Sequence, residues 1–178
     1  MKVRKSLDNS TKSPSDKKKA FSELKVLAIK LLGFVIALYI AFGYILGVNT
    51  MPSEYMDPSI KYHDNVIYSR ISTDYFLRNV IVYDYEGTTY LGRIVGTPGD
   101  TIQIDDQGNL FQNGHLVYET DIFLKSSFSP NVEVTLGEGE YFVLCDNRAY
   151  LNDSRTFGAI DESQIKGVVI TVVRRFGI

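Results

Sequence analysis

Hydrophobic and polar residues divide this chain into two parts with different periodicities. From Leu31 to Val48 it reads LLGFVIALYIAFGYILGV, eighteen residues without a charge. As a helix this run would extend roughly 27 Å, close to the thickness of a bilayer's hydrocarbon core. Val26 to Ile29 adds another apolar turn, and Lys30 between them can snorkel toward the basic side. The pattern predicts a transmembrane anchor over residues 26–48. Gly43 and Gly47 form a GxxxG pair inside it, and Gly33, Ala37 and Ala41 recur every four residues, a common trait of membrane helices.

Beyond the anchor, short stretches rich in Val, Ile, Tyr, Thr and Phe predict strands at Val66–Ser72, Asn79–Tyr85, Thr88–Val95, Thr101–Asp105, Val132–Leu136, Tyr141–Leu144 and Gly167–Val173. Turn dipeptides separate them. The strongest is Asn113-Gly114, set between Leu110-Phe111 and Leu116-Val117, a short hairpin signal. No amphipathic helix of 10–15 residues lies between the strands, which argues against a parallel α/β sheet, and an all-β domain over 49–178 is expected, barrel-like or sandwich-like, built of antiparallel sheets.

Composition sharpens this picture. A hydrophobic share of 44% excludes a chain that is disordered throughout. One cysteine and two histidines exclude an intrachain disulfide framework and a Cys/His zinc cluster, and no metal or organic cofactor is implied. The net charge of −2 averages two unlike parts. Residues 1–30 carry nine Lys/Arg against three acids, a net of about +6, and residues 31–178 carry ten against eighteen, about −8. A basic flank before an apolar span stays in the cytoplasm, which places the β domain outside the cell. No A-x-A-like site follows the span, which is longer than a signal-peptide core, so the anchor is expected to remain uncleaved. Residues 1–25 read as a basic cytoplasmic tail of disorder-prone composition. The acidic outer part argues against nucleic acid or anionic lipid as its partner.

Four short stretches carry a family resemblance. Pro52-Ser53-Glu54-Tyr55-Met56-Asp57-Pro58-Ser59-Ile60 resembles P-S-G-S-M-x-P-T-L, and Gly92-Arg93-Ile94-Val95-Gly96-Thr97-Pro98-Gly99-Asp100 resembles K-R-V-I-G-x-P-G-D. The turn ending in Asn113-Gly114 follows, and the stretch from Cys145 to Gly158, CDNRAYLNDSRTFG, is similar to G-D-N-R-x-x-S-x-D-S-R-x-F-G. In this order behind an anchor, these boxes resemble those of the type I signal peptidases, membrane-anchored serine proteases that cut secretory signal peptides. The resemblance implies a Ser–Lys dyad. A serine attacks the scissile carbonyl, a neutral lysine takes its proton, a second serine orients the lysine and a third donates to the oxyanion.

At the matching positions the reacting groups are absent. Tyr55 stands at the nucleophile, Gly92 at the general base and Leu151 at the lysine-orienting serine; only Ser53, the oxyanion-type donor, is kept. The expectation is a pseudoenzyme, because an oxyanion donor alone supports only residual catalysis. Substitutes are poor. Ser59 and Lys61 lie off the family's cleft, His63 and His115 fall in turn-like stretches, and Arg93 should point to the opposite strand face from residue 92. The resemblance implies scaffold roles for Asp146, Asp153 and Arg155, and Cys145 reads as a packing residue.

In the active family an extended substrate adds a strand along the cleft. Here this implies a binding region at Met51, Ser53, Tyr55, Tyr90 and Gly92, although Tyr55 could instead plug the groove. Loss of both dyad members on a single-anchor chain resembles the non-cleaving accessory proteins of Gram-positive pilus loci. Pilin subunits and a class C sortase are then the expected partners. The competing readings are a working peptidase with an atypical nucleophile and a decoy that holds signal peptides without cutting them.

Overall fold

The computed structural model describes residues 14–119 and 129–174. The first half of the expected tail, residues 1–13, lies outside the described residues. The chain divides into two units, Met1–Ala41 and Phe42–Ile178.

Helix α1 spans Pro14–Ile40, and a π turn follows at Ala41–Ile45. Residues Phe21–Ile45 form an apolar stretch of 25 residues with mean hydropathy 2.3, none of it buried. Apolar side chains surround the helix on all sides, with Phe34, Tyr39 and Phe42 all well exposed. Such a helix lacks the polar face of a soluble surface helix and is consistent with a single-pass membrane anchor.

Its limits differ from those predicted. The helix begins at Pro14, so residues 14–25 of the expected tail are helical, and 46–48 belong to a strand. Strand pairing decides the second boundary, and an apolar run read alone cannot reveal it. Gly43 and Gly47 therefore share no α-helix. Gly47 instead lies over an aromatic ring, where an added Cβ would stand 2.1 Å from Tyr68 Cζ.

The C-terminal unit is all antiparallel β. Its strands are β1 Leu46–Thr50, β2 Asn65–Ser69, β3 Val80–Tyr85, β4 Thr88–Gly96, β5 Thr101–Ile104, β6 Leu110–Gln112, β7 His115–Leu116, β8 Val132–Thr135, β9 Glu140–Leu144, β10 Ile160–Asp161 and β11 Ile165–Val173. One short helix, α2 Ser154–Phe157, precedes β10. Seven strands form one sheet in the order β1-β2-β11-β3-β4-β9-β10, and four form a second in the order β7-β6-β5-β8. The β6–β7 hairpin turns at Asn113-Gly114, both at positive φ (53° and 77°), the conformation for which this dipeptide is selected.

Alternation along the strands builds three apolar clusters. Leu91 of β4 joins Met51, Tyr55, Met56, Ile60, Val66, Tyr68, Val82 and Cys145. Ile94 of the same strand joins Ile81, Tyr83, Tyr141, Val143 and Ile160 on the other face. Strand β9 likewise feeds two cores. Val143 enters the second cluster, while Phe142 and Leu144 meet Ile102, Ile104 and Leu110 of the smaller sheet and Leu136 just after β8.

Candidate functional site

Tyr55 follows β1 on a turn that the backbone ties to the segment after β9. The Asn147 N–H donates to the Tyr55 carbonyl at 3.0 Å, and Asn147 Nδ2 donates to the Glu54 carbonyl at 3.4 Å. The Tyr55 side chain is only 4% exposed and packs among Met51, Met56, Leu91 and Cys145. Its phenol oxygen accepts the Leu91 N–H at 3.3 Å. Strand β4 pairs with β3 from Thr88 to Arg93, but with β9 only from Arg93 onward. The Leu91 N–H therefore lies on an open stretch of strand edge, and the phenol caps it.

Burial pushes the Tyr55 hydroxyl up to about 12, and the Leu91 N–H only partly offsets this. An unfolded tyrosine ionises near 10, so the folded state holds this proton more tightly. The stabilisation is complete below pH 10 and is lost as pH rises toward 12, by about 2–3 kcal/mol. Urea midpoints of the parent should therefore fall more steeply between pH 9 and 12 than those of Tyr55→Phe. Parallel slopes would contradict the buried phenol.

At Gly92 the space for a side chain is occupied. An added Cβ would stand 2.4 Å from Val143 Cγ1 and 3.4 Å from Tyr83 Cε1. Tyr83 is fully buried, and its hydroxyl donates to the Asn152 carbonyl at 3.5 Å, next to Leu151. The ring thus bridges from Gly92 toward Leu151, the two positions matched to the base and its orienting serine. Leu151 itself is 36% exposed. Sequence reasoning missed Tyr83 and Val143, because only the β3–β4–β9 register brings them to Gly92.

The implied binding region is only partly a surface. Met51, Tyr55 and Gly92 are buried, and Ser53 and Tyr90 are half-buried. Met51 is fully buried in the first cluster, its N–H donating to the Asp64 carbonyl and its carbonyl accepting from the His63 N–H.

Arg93 extends away from the Gly92 pocket and grips Asp146 with Nε at 2.7 Å and Nη2 at 2.6 Å. Asp153 caps α2 through the Arg155 N–H at 3.0 Å and pairs with the Arg155 guanidinium at 2.7 Å. The same carboxylate accepts the Cys145 N–H at 2.9 Å.

No substitute dyad is assembled among the described residues. The Ser59 hydroxyl accepts from Arg93 Nη2 at 3.2 Å. Lys61 and Lys166 are the lysines described in the β unit, and both are exposed, the latter 2.8 Å from Asp84. Lys125 lies outside the described residues. His63 and His115 are at the surface. No group of three or more His, Cys, Asp or Glu is arranged to hold a metal ion among the described residues.

Cys145 is fully buried, and burial, with the Asp153 charge, pushes its thiol up. Its Sγ donates to the Asn152 carbonyl at 3.6 Å. Thiol reagents should leave the native chain unmodified and label one site after unfolding. Rapid native labelling would contradict this packing role.

The family described as "Signal peptidase, peptidase S26" matches residues 24–174. Signal peptidase IB of Staphylococcus aureus is 30% identical over 158 residues, covering 78% of this chain and 82% of its own. A probable signal peptidase I-2 of Synechocystis is 27% identical over 149 residues, covering 75% and 66%. A crystal structure of a signal peptidase I from Enterococcus faecalis is 25% identical, covers 55% of this chain and 98% of its own, and gives a TM-score of 0.47.

Proposed function

Because the chain belongs to the signal peptidase family, peptidase S26, we propose that it keeps the family scaffold without the reaction and acts as a non-cleaving chaperone or scaffold in sortase-dependent pilus assembly. The observation that carries this is the filled base pocket, where Val143 and Tyr83 occupy the space of a side chain at Gly92. Tyr55 adds to it. A phenol raised to about 12 by burial, with no amine beside it among the described residues, is a poor nucleophile at neutral pH. In this reading α1 is an uncleaved single-pass anchor with its basic end in the cytoplasm, and the β unit is extracellular. Pilin subunits and a class C sortase are the partners.

The capped Leu91 N–H bears on where a partner binds. A strand added at the open edge of β4 would need that donor, so the Tyr55 phenol has to leave or the partner uses another surface. Deleting the chain in its host should abolish pilus polymers while secretion stays normal, and pilins and sortase should co-purify with it. Accumulation of unprocessed preproteins on deletion would favour the second reading, a working signal peptidase, which the names of its curated relatives support. Co-purification of an active signal peptidase instead of pilins would favour a decoy.

A further inference from the structure

The basic end of α1 is charged unevenly around its circumference. Lys18, Ser22 and Lys25 follow one another at spacings of four and three and share one stripe. Lys19, Glu23 and Lys30 fall on a second stripe, where Glu23 sits one turn after Lys19 and offsets its charge. No acid shares the first stripe between Lys18 and Ile40. Both lysines of that stripe are exposed, and Lys25 Nζ lies 4.7 Å above the Phe21 ring, so its ammonium reaches back one turn toward the helix start.

Length sets the depth of these groups. The apolar stretch Phe21–Ile45 has 25 residues, and a hydrocarbon core takes about 20 in helix. The first turn of the stretch therefore lies among headgroups, and Lys18 follows about 10 Å beyond Lys25 along the axis. On the anchor reading, Lys18 and Lys25, with no acid on their stripe between Lys18 and Ile40, would lie at the level of the lipid phosphates.

We propose that the Lys18–Lys25 stripe seats the headgroup of an anionic phospholipid, the small Ser22 between them leaving room for the phosphate. Ser22 is not a ligand, since its hydroxyl donates to the Lys19 carbonyl at 2.8 Å. The proposal rests on the membrane-anchor reading and not on the pilus role. It concerns the basic flank alone, in contrast to the acidic outer unit, where an anionic partner is disfavoured.

The test uses the full chain in mild detergent, titrated with phosphatidylglycerol or phosphatidylcholine of matched acyl chains and read by native mass spectrometry. Each lysine near an anionic headgroup contributes about fivefold in retention, so Lys18→Gln/Lys25→Gln should bind phosphatidylglycerol about 25-fold more weakly than the parent. Phosphatidylcholine binding should not change. Lys19→Gln/Lys30→Gln should lose much less, and inorganic phosphate should fail to displace the lipid. Equal retention of the two lipids, an equal loss in both double variants, or displacement by free phosphate would overturn the proposal. Flotation with phosphatidylcholine vesicles at alkaline pH tests the anchor separately. Release there would overturn the anchor itself, whatever lipid is retained in detergent.

Discussion

Gly92→Ala should destabilise the β unit by about 1–3 kcal/mol, and Gly92→Lys by more, without conferring peptidase activity. The methyl group alone would meet Val143 Cγ1 at 2.4 Å, and a β-branched side chain on a central strand has little freedom to yield. A lysine adds the cost of placing an amine between Val143 and Tyr83, where burial disfavours its charge. The pair Tyr55→Ser/Gly92→Lys should therefore also be inactive. Restoring a serine and a lysine does not restore the cavity that would let them meet. A double-mutant cycle isolates the cause. Val143→Ala should be destabilising alone yet recover part of the loss when combined with Gly92→Ala, a coupling of about 1 kcal/mol or more. Urea midpoints measure it, and strictly additive effects would show that Val143 is not what fills the pocket.

Asp153→Ala should cost about 3–5 kcal/mol, a large share of the 5–15 kcal/mol that holds a domain together. Arg155 and Asp153 have side-chain exposures of 2% and 0%. Removing the carboxylate leaves a buried guanidinium that still donates to the Arg148 carbonyl at 2.9 Å and to the Tyr150 carbonyl, but lacks its counter-charge. It also removes the α2 cap and the acceptor of the Cys145 N–H. Asp84→Ala breaks another ion pair, with Lys166, but both side chains there are 41% exposed. That loss should stay within about 1 kcal/mol. Similar losses at the two sites would mean that Asp153 acts as an ordinary surface charge.

Local chemistry was legible in the sequence wherever it decides local structure. Asn113-Gly114 announced its hairpin, and the β-branched runs announced β2 to β5, β8, β9 and β11 to within a few residues. The anchor's end was not legible, since Leu46, Gly47 and Val48 suit a membrane helix and a strand equally well until β2 pairs with them. Strand β10 and helix α2 are too short to leave a periodic signal. At the site, the box positions located Tyr55, Gly92 and Leu151, and alternation placed Arg93 on the far side of β4. What occupies the empty position was hidden, because Tyr83 precedes Gly92 by nine residues and Val143 follows it by fifty-one. The burial of Met51 was hidden for the same reason. Its place beside Ser53 in the chain says nothing of the cluster that closes over it.

The most direct measurement is cleavage. The full chain, reconstituted in vesicles, is incubated with a secretory preprotein beside an active signal peptidase, and the released mature protein is followed over time. A pocket packed with Val143 and Tyr83 predicts no processing above the preprotein alone. Mature protein appearing at a rate comparable to that of the active peptidase would contradict the account.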